Sequence, residues 1–193
     1  MMKKAVSVIL LFISCSAFAQ FNVTIQWQPI MPGSAGDTIF YKPDQKLKWN
    51  DFKGKPDAAS VAAAITESGF GYSMAMNAYN SKSNLVITVF CYFSKMKSWV
   101  KKNMNTDYAL QHEQHHYDIT YINTCLFIQK LKEARFNRNN FSALLEKIYD
   151  ECFAAMTRMQ DDYDGETRNG RVNVIQASWN KKIDQQLAAI STD

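Results

Sequence analysis

The stretch LVITVFCYF at residues 85–93 carries the strongest secondary-structure signal in the chain. β-branched and aromatic side chains crowd this nine-residue run, and two polar residues, Asn84 and Ser94, bound it. Such a run is typical of a strand that lies inside a sheet rather than at its edge. We therefore predict that residues 85–93 form the central strand of a sheet.

The segments that precede this run also predict strands. Residues alternate loosely in FNVTIQW (21–27) and DTIFY (37–41), and prolines and glycines separate the two stretches. A structured loop is expected at residues 46–57 and a further strand around residues 70–76. The first half of the chain should therefore form a mostly antiparallel sheet.

The second half of the chain has helical periodicity. Thr106 or Asp107 can cap a first helix, which is expected to end within residues 135–140. A second helix is predicted from Phe141 to about Tyr163. The two helices together would form an antiparallel hairpin.

The end of the chain predicts a turn and a third helix. The stretch DYDGETRNG (162–170) contains two glycines and is interpreted as the turn. Apolar residues then recur at four-residue steps on an amphipathic helix: Ile175, Trp179, Ile183 and Leu187. Strands followed by helices argue for an α+β fold, with an N-terminal mostly antiparallel sheet, a helical hairpin and a C-terminal helix.

The beginning of the chain has the composition of an export signal. Two lysines precede a largely apolar run at residues 5–13, and small residues follow it. We expect a signal peptide at residues 1–19 and a single exported domain at residues 20–193, in the periplasm or outside the cell. The alternative is a lipoprotein attached through Cys15.

Composition favours one globular domain and argues against two classes of partner. The chain has 193 residues, of which 47% are hydrophobic and 21% charged. Its basic residues are scattered, without the stripe that would predict nucleic-acid binding. No stretch beyond the signal reaches the roughly 18 to 20 apolar residues of a transmembrane helix.

The three cysteines that follow the predicted signal are Cys91, Cys125 and Cys152. Because Cys125 and Cys152 fall on neighbouring predicted helices, a disulfide between them is one interpretation, and buried free thiols are the other. The cysteines lack the CxxC and Cys–His spacings of a zinc site.

All three histidines of the chain lie within LQHEQHHYD, residues 110–118. On a helix, His112 and His116 are one turn apart and face the same way, so both imidazoles can bind one metal ion. Glu113 lies about 100° further round, where it can act on a water molecule bound to that metal. The pattern HExxH therefore predicts a catalytic zinc site, although a solvated polar helix face is the simpler alternative.

The neighbouring residues of the motif receive other roles. His115 points to the opposite flank from Glu113 and is expected at the rim or in contact with substrate. Asp118 lies about 200° from His116, so it should stabilise the other side of the helix.

A catalytic zinc ion needs a third protein ligand. If the hairpin turns near Asn137, residues at equal distances from the turn lie opposite each other on the two helices. Residue 114 then lies opposite roughly residue 160. The third ligand is therefore expected in the acidic segment that follows: Gln160, Asp161, Asp162, Asp164, Glu166 and Asn169.

The chain resembles a bacterial domain family of unknown function whose members are described as predicted secreted zinc-dependent proteases. Four stretches carry the resemblance: LKWNDFKGKPD (47–57), SWVKK (98–102), LQHEQHHYDIT (110–120) and YDGETRNGRVNVIQASWNKKI (163–183). The resemblance implies a zincin-like peptidase fold, with His112 and His116 as zinc ligands and Glu113 as the catalytic base.

One position departs from the family pattern. The pattern reads YDxETxH, and Asn169 stands where the pattern has the histidine that would be the third ligand. Three outcomes are open: Asn169 binds the metal weakly, Glu166 or Asp164 replaces it, or this chain binds metal poorly.

The leading functional hypothesis is a secreted zinc metallopeptidase that hydrolyses a peptide or protein substrate. Tyr117 or Tyr163 could stabilise the oxyanion, and an edge strand could hold an extended substrate. A catalytically degenerate binding protein of the cell envelope is the alternative, because of Asn169. A metal-dependent hydrolase of a non-peptide substrate is the third hypothesis.

Overall fold

The computed structural model describes residues 21–28, 36–79 and 82–190. The predicted signal peptide, Cys15 and the connection at residues 29–35 lie outside the described residues. The secondary-structure elements are β1 (Phe21–Trp27), β2 (Thr38–Phe40), β3 (Ala64–Ile65), β4 (Ser68–Tyr79), β5 (Lys82–Ser94), β6 (Trp99–Val100), α1 (Asp107–Glu133), α2 (Phe141–Thr167) and α3 (Asn173–Ile190). The chain is therefore α+β, with its strands before its helices.

Strand β5 lies in the centre of the main sheet, as its composition predicts. β4 pairs with it along one edge, antiparallel. β1 and β2 share the other edge, where β1 runs parallel to β5 and β2 antiparallel. The sheet is thus mostly antiparallel, with one parallel pair.

One face of β5 is completely buried and forms the base of the hydrophobic core. Its alternate residues Leu85, Ile87, Val89, Cys91 and Phe93 are at most 1% exposed. Alternation of this kind follows from the two-residue repeat of a strand, and the helices cover this face. The packing places α1 directly against the sheet.

A second, two-stranded sheet lies beside α1. β3 pairs antiparallel with β6, so that Ala64 faces Val100 and Ile65 faces Trp99. The hydroxyl of Thr66 donates to the main-chain oxygen of Glu113 at 3.1 Å. This contact holds the segment that follows β3 against the helix turn that carries the HExxH pattern.

The helical hairpin forms where the sequence predicts it. Thr106 is the N-cap of α1, and its side chain accepts a hydrogen bond from Ala109 N. α1 ends at Glu133, and α2 begins at Phe141 after a short connection. Thr106, rather than Asp107, therefore caps the helix.

The end of α2 differs from the sequence prediction. Residues 162–167, expected to form a turn, continue the helix, and the turn lies at residues 168–171. A glycine inside a helix costs only about 1 kcal/mol relative to alanine. Gly165 is therefore tolerated, because the completely buried Tyr163 and Thr167 hold the last turn against the rest of the protein.

Helix α3 packs through the predicted apolar stripe. Trp179 and Ile183 are buried together with Ile119 and Tyr163 in a small cluster that joins the three helices. The indole nitrogen of Trp179 also donates to Glu166 Oε2 at 2.7 Å. α3 thereby fixes the position of the last turn of α2 relative to α1.

Two further observations concern predictions made from the sequence. Cys91, Cys125 and Cys152 are free thiols, so the possible disulfide between Cys125 and Cys152 is absent among the described residues.

None of the described helices is both long and apolar enough to span a bilayer.

Candidate metal centre

The HExxH turn of α1 brings His112 and His116 together. Their Nε2 atoms lie 3.2 Å apart, and the rings meet edge to face. Both residues are buried, with exposed fractions of 5% and 9%. The two imidazoles thus face one point, as the four-residue spacing predicts.

Asp164 completes a triangle of donor atoms with these two nitrogens. Its Oδ1 lies 3.1 Å from His112 Nε2 and 3.0 Å from His116 Nε2. Ligands held about 2.0–2.1 Å from a tetrahedral zinc ion lie about 3.3 Å from one another. The three atoms therefore already have nearly the separations that one zinc ion requires, and these residues fit the metal.

Among the candidate third ligands, Asp164 has an oxygen within hydrogen-bond distance of Nε2 of both histidines. Asp164 was one of three alternatives, and it lies on α2 because the helix continues past Tyr163. Glu166 Oε2 instead accepts from Trp179. Asn169, in the turn after α2, lines a cavity that His112, His116 and Asp164 also line. Its role as a ligand stays a prediction.

Two glutamines contact the other nitrogens of the histidine rings. Gln176 Oε1 lies 2.8 Å from His112 Nδ1, and Gln160 Oε1 forms a short hydrogen bond with His116 Nδ1. Gln160 belonged to the predicted segment, but sequence reasoning missed Gln176. Its signals are its position in the stretch 163–183, which carries the family resemblance, and its polarity beside the apolar stripe of α3.

The charges at the centre are strongly coupled. Burial opposes a positive charge on His116, but the hydrogen bond and charge of Asp164, together with the charge of Glu113 and the hydrogen bond of Gln160, outweigh burial and raise the pKa of His116 to about 9. Burial also acts to raise the pKa of Asp164, yet the hydrogen bonds with His112 and His116 hold it well below its usual range. Asp164 is therefore ionised at neutral pH, as a metal ligand must be.

Glu113 lies beside this triangle and lines the same cavity. Its side chain is buried, and its Oε2 has no hydrogen-bond partner within the described part of the chain. Burial raises the pKa of Glu113 in spite of the neighbouring imidazoles. A carboxylate with a raised pKa is a stronger base, which suits it to take a proton from water.

His115 and Asp118 lie on the side of α1 that faces away from the cavity. His115 is 3% exposed, and its Nε2 lies 3.6 Å from Asp184 on α3. The predicted position of His115 at the rim is therefore wrong, because α3 covers that flank of α1. Asp118 accepts hydrogen bonds from Tyr41 and Gln114, which agrees with the stabilising role predicted for it.

The two tyrosines considered for oxyanion stabilisation have structural contacts instead. Tyr117 donates to the main-chain oxygen of Ile39 at 2.9 Å. Tyr163 is completely buried, and its ring stacks on His112. Tyr108, one turn before His112, lines the cavity in their place, and it donates to Gly170 O at 2.8 Å.

The centre opens into a cavity of about 530 Å³. Residues 61–68 form one wall, and α1 and α2 form the others. Gly170 closes the cavity near His112, with φ of 76°, and a Cβ at this position would lie 3.4 Å from the imidazole ring. The backbone conformation therefore favours glycine at this position, whereas a Cβ would make only ordinary van der Waals contact with the ring.

Comparison with known proteins finds no match for this chain. The chain matches no family model, no curated protein and no solved structure.

Proposed function

We propose that this protein is a zinc-dependent metallopeptidase, in which His112, His116 and Asp164 bind the metal and Glu113 is the general base. One observation carries the proposal: ligand atoms of two buried histidines and the partly buried Asp164 lie within 3.2 Å of one another. Beside them lies a buried Glu113 oxygen with no hydrogen-bond partner among the described residues. The zincin-like fold and export from the cytoplasm, implied by the sequence, belong to the same proposal.

The residues of the centre divide the chemistry between them. A zinc ion held here would polarise a substrate carbonyl and lower the pKa of a water molecule. Glu113 Oε2 accepts the proton of the attacking water and returns it to the leaving nitrogen. The low exposure of His112, His116 and Glu113 excludes bulk water, which strengthens these electrostatic interactions.

The wall formed by residues 61–68 favours an extended peptide as substrate. β3 uses one edge to pair with β6, and Lys101 N extends this pairing to Ala63 O at 2.8 Å. No described strand pairs with its other edge, and the segment lines the cavity. A peptide can add to this edge through main-chain hydrogen bonds, which a non-peptide substrate could not do.

The wall is held in position at its far end. Arg171 Nη2 donates to Val61 O at 2.7 Å. The hydroxyl of Tyr108, on α1, donates to the oxygen of Gly170, the residue before Arg171. The edge that would receive the peptide is therefore attached both to the turn after α2 and, through Thr66, to the HExxH turn. These contacts keep a bound peptide at a constant distance and orientation relative to Glu113.

The alternative of a degenerate, non-enzymatic protein depended on the absence of a histidine at position 169. Asp164 offers a charged oxygen in the required position, so this reason no longer favours the alternative. We therefore retain the enzymatic function.

The test measures zinc content and peptide cleavage for the wild type, Glu113→Gln and Glu67→Gln. Glu67 also lines the cavity, and its substitution is the control for loss of a carboxylate there. We expect one zinc ion per chain in all three proteins, and a loss of cleavage of at least about 100-fold in Glu113→Gln alone. Equal cleavage by wild type and Glu113→Gln, or no cleavage of a random peptide mixture by the zinc-loaded wild type, would reject the proposal.

A further inference from the structure

We propose that Gln160 and Gln176 are positioning residues that keep both imidazoles in the tautomer with hydrogen on Nδ1. In this tautomer the Nε2 lone pairs of His112 and His116 point towards the metal position. The inference rests on the proposed function for its metal, because the Asp164 carboxylate can accept hydrogen from both Nε2 atoms until a metal ion takes that position. The glutamine oxygens determine the hydrogen on Nδ1.

The orientation of the Gln160 amide is determined by a main-chain carbonyl. Gln160 Nε2 donates to His116 O at 2.8 Å and to Thr120 Oγ1 at 3.2 Å. A carbonyl oxygen can only accept, so the NH₂ group must lie on this side. Gln160 Oε1 therefore faces His116 Nδ1, and because this oxygen can only accept, Nδ1 must carry the hydrogen.

The orientation of the Gln176 amide follows from a longer chain of hydrogen bonds. The hydroxyl of Tyr163 donates to His112 O at 3.4 Å, so it accepts from Gln176 Nε2. Gln176 Nε2 also donates to Asn180 Oδ1 at 2.6 Å. Gln176 Oε1 is thereby left to accept from His112 Nδ1 at 2.8 Å.

Both chains of hydrogen bonds end on the main-chain oxygen of the histidine that they orient. A rotation of either imidazole would break its hydrogen bond to a glutamine oxygen, and each glutamine is at least partly buried. Outer hydrogen bonds of this kind determine which nitrogen of a histidine binds metal.

An uncharged amide suits these two positions better than the more usual carboxylate. Asp164 and Glu113 already bring two acidic groups to the centre. Glutamine supplies the acceptor without adding further negative charge, and its NH₂ group satisfies the carbonyl or hydroxyl on the other side. A glutamate could make only the first of these contacts.

The test compares Gln160→Met and Gln176→Met with Gln114→Met. Gln114 is a matched control, because it is buried on α1 and its amide bonds Leu47 N and Asp118 rather than the imidazoles. Zinc affinity is measured by competition with a chelator, unfolding by thermal denaturation, and tautomers by ¹⁵N NMR of the histidine side chains.

We expect zinc to bind about 10- to 100-fold more weakly to Gln160→Met and Gln176→Met. Gln114→Met should unfold at a lower temperature while it keeps the wild-type zinc affinity. Gln160→Glu, which keeps the acceptor, should recover most of the affinity lost in Gln160→Met. Wild-type affinity in both methionine variants at the centre, or an equal loss in Gln114→Met, would overturn the inference.

NMR separates failure of this inference from failure of the proposed function. In the zinc-loaded wild type, we expect hydrogen on Nδ1 and zinc on Nε2 of both His112 and His116. This result would support the inference even in a protein that cleaves no peptide. Hydrogen on Nε2 of either ring would reject it even in an active peptidase.

Discussion

Asp164 Oδ1 lies 3.0 Å from His116 Nε2, although 48 residues separate the two along the chain. The last turn of α2 carries the carboxylate, and the first half of α1 carries the imidazole. Helix packing thus supplies the third donor that the HExxH pattern cannot provide by itself.

Asp164→Asn is expected to lower zinc affinity by more than about 100-fold, because loss of a charged ligand should exceed the effect of an outer-shell change. Asp161→Asn is the matched control, since Asp161 is exposed and lines the same cavity one turn earlier on α2. Chelator competition measures both affinities. Similar affinities in the two variants would show that Asp164 is not a ligand.

Zinc binding is expected to release about one proton per chain at pH 7. The pKa of His116 is raised to about 9, so its ring is protonated at pH 7 in the metal-free protein and must lose a proton to bind metal. Apparent affinity should therefore rise with pH and level off above pH 9. Calorimetry in two buffers with different ionisation enthalpies measures the release, and the same heat in both buffers would contradict the prediction.

Asn169→Ala is expected to keep zinc affinity within a few-fold of the wild type, because Asp164 already supplies the third donor. Asn169→His, which introduces the histidine of the family pattern that the chain resembles, should likewise give little gain. Elemental analysis after dialysis and chelator competition test both variants. A large increase in affinity with histidine would mean that the third position is incomplete in the natural chain.

Tyr41→Phe is expected to lower the free energy of unfolding by about 1.5–3 kcal/mol, the range for a hydrogen bond to a charged group. The hydroxyl of Tyr41 donates to the buried Asp118 Oδ1 at 2.8 Å. Tyr72→Phe is the control, because the described residues offer the Tyr72 hydroxyl no hydrogen bond. Chemical denaturation measures both variants, and equal stabilities would show that the contact with Asp118 contributes little.

Several features of the protein could be predicted from the sequence because they depend on local periodicity. The two-residue repeat of strands explains why residues 85–93 identify the central strand, and the 3.6-residue repeat of helices aligns His112 with His116. The same repeat marks the apolar stripe of α3 that contains Trp179 and Ile183. None of these features requires knowledge of a distant part of the chain.

The extent of α2 could not be predicted in this way. Two glycines and several acidic residues at positions 162–170 are typical of a turn, and their composition misled the prediction. Burial of Tyr163 and Thr167 against other helices outweighs the weak local preference. Asp164 consequently lies on a helix and points towards the histidines.

The sequence by itself determined the α+β order of elements and the shared direction of His112 and His116, with Glu113 about 100° further round, since neighbouring residues decide both. Only the tertiary structure decided that Asp164 joins the histidines and that Gln176 orients one of them. Their partners lie 52 and 64 residues away along the chain. Contacts at that separation depend on how the buried side chains of α1, α2 and α3 pack against one another. A local sequence pattern does not determine this packing.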